Sequence, residues 1–211
     1  VSGVDDYMTK PVDEEEMLRT VVREIQGITP LPLQIDSSDP KAIEAACRAY
    51  NGKPIINSVN GSEESLKAIL PIAKKYGAAL VALTLDEKGI PETAEERCGV
   101  AERIVERAES MGIDRSNILV DCLVLTASTN QEMVMETLRA IILVKQRLGV
   151  RTVLGVSNVS FGLPSRETLG SAFLTMALER GLSAAIMNPL SDRMMGAMIS
   201  FRTLTGRDEN C

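Results

Sequence analysis

Six short apolar runs recur along the chain, at 31–36 (LPLQID), 54–60 (PIINSVN), 79–86 (ALVALTLD), 118–123 (ILVDCL), 152–158 (TVLGVSN) and 184–189 (AAIMNP). Their apolar residues stand side by side instead of alternating with polar ones. That is the pattern of parallel strands covered on both faces. Between them lie longer stretches with helical spacing. Met17, Leu18, Val21, Val22 and Ile25 make one apolar stripe over 13–25. Asp39 followed by Pro40 reads as an N-cap and a first helical residue, and that helix runs to Tyr50 before Asn51-Gly52. Further helices are predicted from Ser62 to Gly77, over 93–111 before Gly112, over 130–148 before Gly149, and over 166–180 before Gly181. Glycine at a helix end supplies the left-handed turn that stops it.

A helix followed by six strands with helices between them leaves two architectures, an open doubly wound sheet and a (β/α)8 barrel. A barrel uses eight strands and about 250 residues. If this α/β chain is a TIM barrel, it lacks the first two strands. The organisation expected is one domain over residues 1–211, with residues 1–12 left unassigned.

Composition narrows the chemistry. The 211 residues carry 23 basic and 29 acidic side chains, a formal net charge of −6. That balance argues against a nucleic-acid surface, which needs clustered cations. No run approaches the 18 apolar residues of a membrane span. There is no His, so neither a Ser-His-Asp triad nor a Cys-His pair can be built, and the commonest metal ligand is absent. There is no Trp, with three Phe and three Tyr, too few for an aromatic stacking platform. Cys47, Cys98, Cys122 and Cys211 show no metal or redox spacing. They read as reduced structural thiols in a cytoplasmic protein. The ten Met fall mostly at helical spacing and are expected in packing.

Every strand run closes on, or just before, an Asp or Asn: Asp36, Asn57 and Asn60, Asp86, Asp121, Asn158 and Asn188. In both architectures sites are built at that end of the strands. Asp and Asn also favour turns and caps, and Asp86-Glu87-Lys88-Gly89 reads as a solvated turn. Asp36, Asn57, Asp121 and Asn158 sit in apolar surroundings. Such carboxylates and amides suit a neutral heterocycle rich in N–H donors. No phosphate-binding glycine loop is present, and no metal site is expected.

Four segments carry a resemblance: LQIDSS at 33–38, INSVN at 56–60, LGVSNVSFGLP at 154–164 and AAIMNP at 184–189. In this order and spacing they resemble the pterin-binding domain of cobalamin-dependent methyltransferases, the group of the methionine synthase folate module and the methyltetrahydrofolate:corrinoid methyltransferases. The resemblance implies a (β/α)8 barrel of the dihydropteroate synthase-like type. It implies that Asp36 and Asn57 hold the pterin ring and that Asp121 accepts from its amino and ring N–H groups. Asn158 would bond near the methyl-bearing nitrogen and act in catalysis. Arg166 would lie near the pterin or its tail, and Ser160 and Asn188 would line the pocket. The substrate implied is methyltetrahydrofolate or tetrahydrofolate. Cobalamin is implied on a partner, a corrinoid protein or cobalamin domain, and homodimerisation stays open. The family usually has Asp-Pro where this chain has Asp121-Cys122.

The segment 3–18 is also similar to the end of a response-regulator receiver domain, although the helix at 13–25 fits the barrel family better. Two other readings compete. A dihydropteroate synthase would want basic residues near the late strands, and Asn188-Pro189 carries none. A pterin-binding barrel fragment without turnover is the other.

Overall fold

The computed structural model describes residues 13–208. Its strands are β1 (Gln34–Asp36), β2 (Ile55–Asn60), β3 (Ala79–Leu83), β4 (Ile118–Asp121), β5 (Arg151–Gly155) and β6 (Ala184–Ile186). They alternate with α1 (Glu14–Gln26), α2 (Pro40–Ala49), α3 (Glu63–Tyr76), α4 (Ala94–Ser110), α5 (Glu132–Leu148), α6 (Arg166–Glu179) and α7 (Asp192–Leu204). All strands are parallel and lie in sequence order, β1 through β6. A doubly wound sheet reverses its order at a switch point; this one does not. It is a barrel arc, two strands short of eight among the described residues.

Local chemistry explains the elements. Asp13 caps α1 through the N–H groups of Glu15 and Glu16, and Thr93 with Glu96 forms a capping box on α4. Gly77 and Gly149 end α3 and α5 at φ 60° and 64°. Gly112 and Gly181 take φ 77° and 93° just past α4 and α6. Gly52, expected to end α2, does not turn left-handed; Tyr50 ends that helix in an extended conformation.

The strands are shorter than the apolar runs. Pro32 precedes β1, Leu85 folds back on Leu83 beyond β3, and residues 156–160 form a 3-10 turn after β5. The helix over Asp192–Leu204 was not predicted. Only Met194 and Phe201 of α7 are buried, so it shows no clear apolar stripe.

Parallel register sorts the strand residues into two faces. Ile35, Ile56, Leu80, Ile118 and Leu154 point outward and join α2 to α6 in one core with Ile43, Leu70, Ile104, Ile141 and Leu174. Val81 and Val153 are buried too but stand apart from that core, on the inner face. Asp36, Asn57 and Asp121 lie on this inner face, because register pairs Asp36 with Asn57, Asn57 with Val81, and Asp121 with Val153. The helix α1 packs on α2 and sends Val22 into the core. Residues 1–12, with most of the receiver-like segment, and Cys211 lie outside the described residues.

Candidate functional site

The C-terminal ends of β1 and β2 hold the first cluster. Asp36 and Asn57 are register partners, and the Asn57 amide donates to Asp36 Oδ2 at 3.1 Å. They border a hollow of about 430 Å³ with Ser37, Ser38, Asn60, Ser62, Glu64, Ser65 and Leu83. The Asn57–Ser58 peptide is cis. The neighbouring Asn60 is occupied locally, since its Oδ1 accepts from the Ser62 N–H at 2.9 Å and its own N–H donates to Ser65 Oγ at 3.0 Å. The hollow is thus lined by short acceptors and hydroxyls, with an apolar floor.

Asp121 stands two strands away on the same inner face and is buried. Its Oδ1 accepts the Leu123 N–H at 2.8 Å, a turn that puts Leu123 at φ 55°. Its carbonyl accepts from both the N–H and the hydroxyl of Thr84, at 3.1 and 3.0 Å. Its Oδ2 takes no hydrogen bond from the described residues. Burial pushes this carboxyl up to about 6, against the opposing pull of the Leu123 N–H and the Arg97 charge. The Cys122 that stands where the family usually has Pro is fully buried.

A second hollow, about 210 Å³, lies beyond β5 and β6 and is lined by Ser157, Ser160, Arg166, Glu167, Gly170, Asn188, Ser191 and Met194. Ser160 is buried and its hydroxyl donates to the Ser157 carbonyl at 3.2 Å. Arg166 donates to the same carbonyl at 3.3 Å and sits 5.3 Å over the Phe161 ring. Asn188 is exposed and accepts from the Leu190 N–H at 3.0 Å. So Ser160, Arg166 and Asn188 come together, apart from the Asp36–Asn57 pair.

Asn158 borders neither hollow. It is exposed in the 3-10 turn, and its amide nitrogen lies 3.1 Å from where a Cβ on Gly155 would stand. The lone strand glycine makes room for this amide. Asp86 sits in the turn its sequence suggested, accepting from the Lys88 N–H at 3.0 Å, but its side chain is only 13% exposed and pairs with Arg103 at 2.7 Å.

Sequence reasoning missed Arg97. It is fully buried, and its guanidinium binds the carbonyls of Pro91, Cys122 and Leu123, each at 2.9 Å, and Thr137 Oγ1 at 2.8 Å. The signal was its place in line with Ala101, Ile104 and Ala108, on the apolar stripe of α4. Cys47, Cys98 and Cys122 are free and buried. Among the described residues no cluster of three or more His, Cys, Asp or Glu could hold a metal ion. No helix among them is long and apolar enough to cross a membrane.

Comparison with known proteins shows the family and the fold. Residues 3–188 match the pterin binding enzyme family. The chain is 38% identical over 184 residues to methionine synthase of Mycobacterium leprae, covering 81% of this chain and 15% of that protein. It thus spans about a seventh of that relative. It is 31% identical over 206 residues to the methylcorrinoid:tetrahydrofolate methyltransferase of Eubacterium limosum, covering 96% of this chain and 76% of that one. Among solved structures, dihydropteroate synthase from Clostridium difficile, determined in the presence of pteroic acid, superposes with a TM-score of 0.73 at 19% identity, over 96% of this chain and 80% of that one. The Yersinia pestis dihydropteroate synthase gives 0.70 at 14%, over 89% and 78%. These structures share the barrel fold. The chain belongs to the pterin-binding enzyme family, as a methyltransferase-type pterin-binding domain of the kind found in cobalamin-dependent methyltransferases.

Proposed function

We propose that residues 1–211 act as one pterin-binding unit that moves a methyl group between methyltetrahydrofolate and the cobalt of a corrinoid on a partner protein or domain. The observation that carries this reading is the placement of Asp36, Asn57 and Asp121 on one inner face. The amino and ring N–H groups of a pterin need acceptors, and an ionised carboxylate accepts two parallel N–H bonds. Asp121 is buried and borders neither hollow, with one oxygen tied to Leu123 and the other without a hydrogen bond among the described residues. Asp36 is held in place by the Asn57 amide.

A corrinoid supplies the group that gives or takes the methyl, so the chain needs no nucleophile of its own. That accords with a sequence without His. The protein's part in the chemistry is to ease charge on the methyl-bearing nitrogen. Asn158 takes this role, bonding more strongly as charge develops on that nitrogen, which lowers the barrier selectively. Arg166 serves the pterin or its tail, and Ser160 and Asn188 line the same hollow beyond β5 and β6.

The test is a thermal melt with and without methyltetrahydrofolate, followed by transfer to cob(I)alamin. Ligand at about 100 times Kd adds about 2.7 kcal/mol. For a chain of this size that raises Tm by roughly 5–10 °C. Asn158→Ala is expected to cost about 100-fold in transfer rate with a far smaller loss of affinity. A folded chain with no shift, or equal losses in rate and affinity, refutes the reading. A shift without transfer to the corrinoid would leave a pterin-binding domain with no such turnover.

A further inference from the structure

Arg97 is the largest fully buried side chain among the described residues. A buried guanidinium is costly unless its donors and its charge are satisfied. Its Nε and Nη1 meet carbonyls from the β3–α4 connection and from the turn after β4, and the hydroxyl of Thr137 on α5. Its Nη2 is buried with no hydrogen-bond partner among the described residues. No carboxylate among them pairs with it directly. The negative charges that offset its own are Glu136 and Asp121.

The carbonyls it holds belong to Cys122 and Leu123, the two residues after Asp121. They form the turn whose Leu123 N–H bonds Asp121 Oδ1. Thr137 reinforces it, donating to the Leu123 carbonyl at 2.9 Å and lying within 3.0 Å of the Met133 carbonyl. Arg97 therefore bonds the same turn that holds the carboxylate, and its charge acts favourably on Asp121.

We propose that Arg97 is a positioning residue for Asp121, clamping the Asp121-Cys122-Leu123 turn and supplying a buried positive charge that favours the ionised carboxylate, ready to accept the pterin's N–H groups. Its consequence for ligand binding rests on Asp121 meeting the pterin, as proposed above; its effect on the Asp121 charge does not.

The surrounding groups make this readable. Burial raises the thiols of Cys122 and Cys98, which stay neutral near pH 6. The Ala94 N–H and Arg139 hold the Glu136 carboxyl low, so it stays ionised. Desolvation lowers Arg97 from a very high starting value, leaving it charged. Of these groups, Asp121 alone changes charge in that range.

The experiment follows the Asp121 carboxyl by carbon-13 NMR through a pH titration of the ligand-free chain. Arg97→Met is expected to raise the Asp121 midpoint by about one unit. Arg97→Lys keeps the charge and holds it near wild type, although both variants melt lower. A merely structural Arg97 would lower both melting temperatures and leave both midpoints at wild type, which overturns the proposal. The wild type gives a second test needing no variant to fold. The side-chain nitrogen-15 resonances of Arg97 should move with the same midpoint as the carboxyl, and their failure to do so also overturns it. Methyltetrahydrofolate binding then separates the two claims. Asp121→Asn that binds normally refutes the pterin role of Asp121, whereas a midpoint that still depends on Arg97 leaves the positioning role standing.

Discussion

At the scale of the residue, the candidate site is a set of acceptors held ready by local bonds. Asn57 donates to Asp36, and the Leu123 N–H donates to Asp121. Asn57→Ala removes that donor along with one polar contact to the pterin proposed above. It should weaken methyltetrahydrofolate binding by about 1–3 kcal/mol, measured by calorimetry. Asp121 has a different cost. Burial raises its folded-state pKa to about 6, above its unfolded value, so the folded chain holds that proton more tightly. Stability on its account is complete below about pH 4, falls as pH rises towards 6, and is flat above that. Asp121→Asn should therefore melt higher than the wild type at pH 8, converge with it at pH 4, and bind the pterin less well. Asp121 and Asn57 were legible in the sequence as polar residues closing apolar runs. Arg97 was not, since one of three arginines among the glutamates of α4 looks like a solvated cation until packing puts it inside.

At the scale of the element, glycine decides more than capping. Gly61 follows β2, and a Cβ there would stand 2.7 Å from Val100 Cγ1 of α4 and 3.1 Å from the Leu85 carbonyl. The close approach of strand end and helix needs that position bare. Gly99 is exposed in the middle of α4, with nothing near its missing Cβ. Gly61→Ala should destabilise by about 1–3 kcal/mol through overpacking. Gly99→Ala should stabilise by about 0.5–1 kcal/mol through helix propensity. Urea unfolding of the two variants checks both signs. The same logic explains how the elements differed from expectation. The apolar runs extended past the strands because Val156 and Cys122 are buried in turns. Burial alone does not make a strand; the ladder to the next strand does.

At the scale of the whole molecule, the arc divides its apolar surface between an outer layer, where strands meet helices, and an inner face. The three described cysteines, Cys47, Cys98 and Cys122, belong to the outer core, and burial raises all three thiols. Iodoacetamide at pH 8 should leave these three unmodified in the folded chain and alkylate them in urea, as read by peptide mass spectrometry. The inner face is less covered at its ends. Asp36 in β1 and Ile186 in β6 are exposed, although their runs read as strands covered on both sides. Coverage of a strand is a property of its neighbours, and β1 and β6 are the edges of the arc.

The sequence by itself determined the order of elements up to β6, their parallel pairing and the polar residues at the strand ends. Those follow from short-range rules: periodicity, capping, and glycine where the chain turns left-handed. Tertiary structure alone decided that the strands run in unbroken order around an arc, that Asp36, Asn57 and Asp121 share its inner face, and that Ser160, Arg166 and Asn188 gather elsewhere. It also decided the ionisation of Asp121 and the burial of Arg97. Both depend on which distant segments exclude water from a side chain, and desolvation and charge act through space, between residues far apart along the chain.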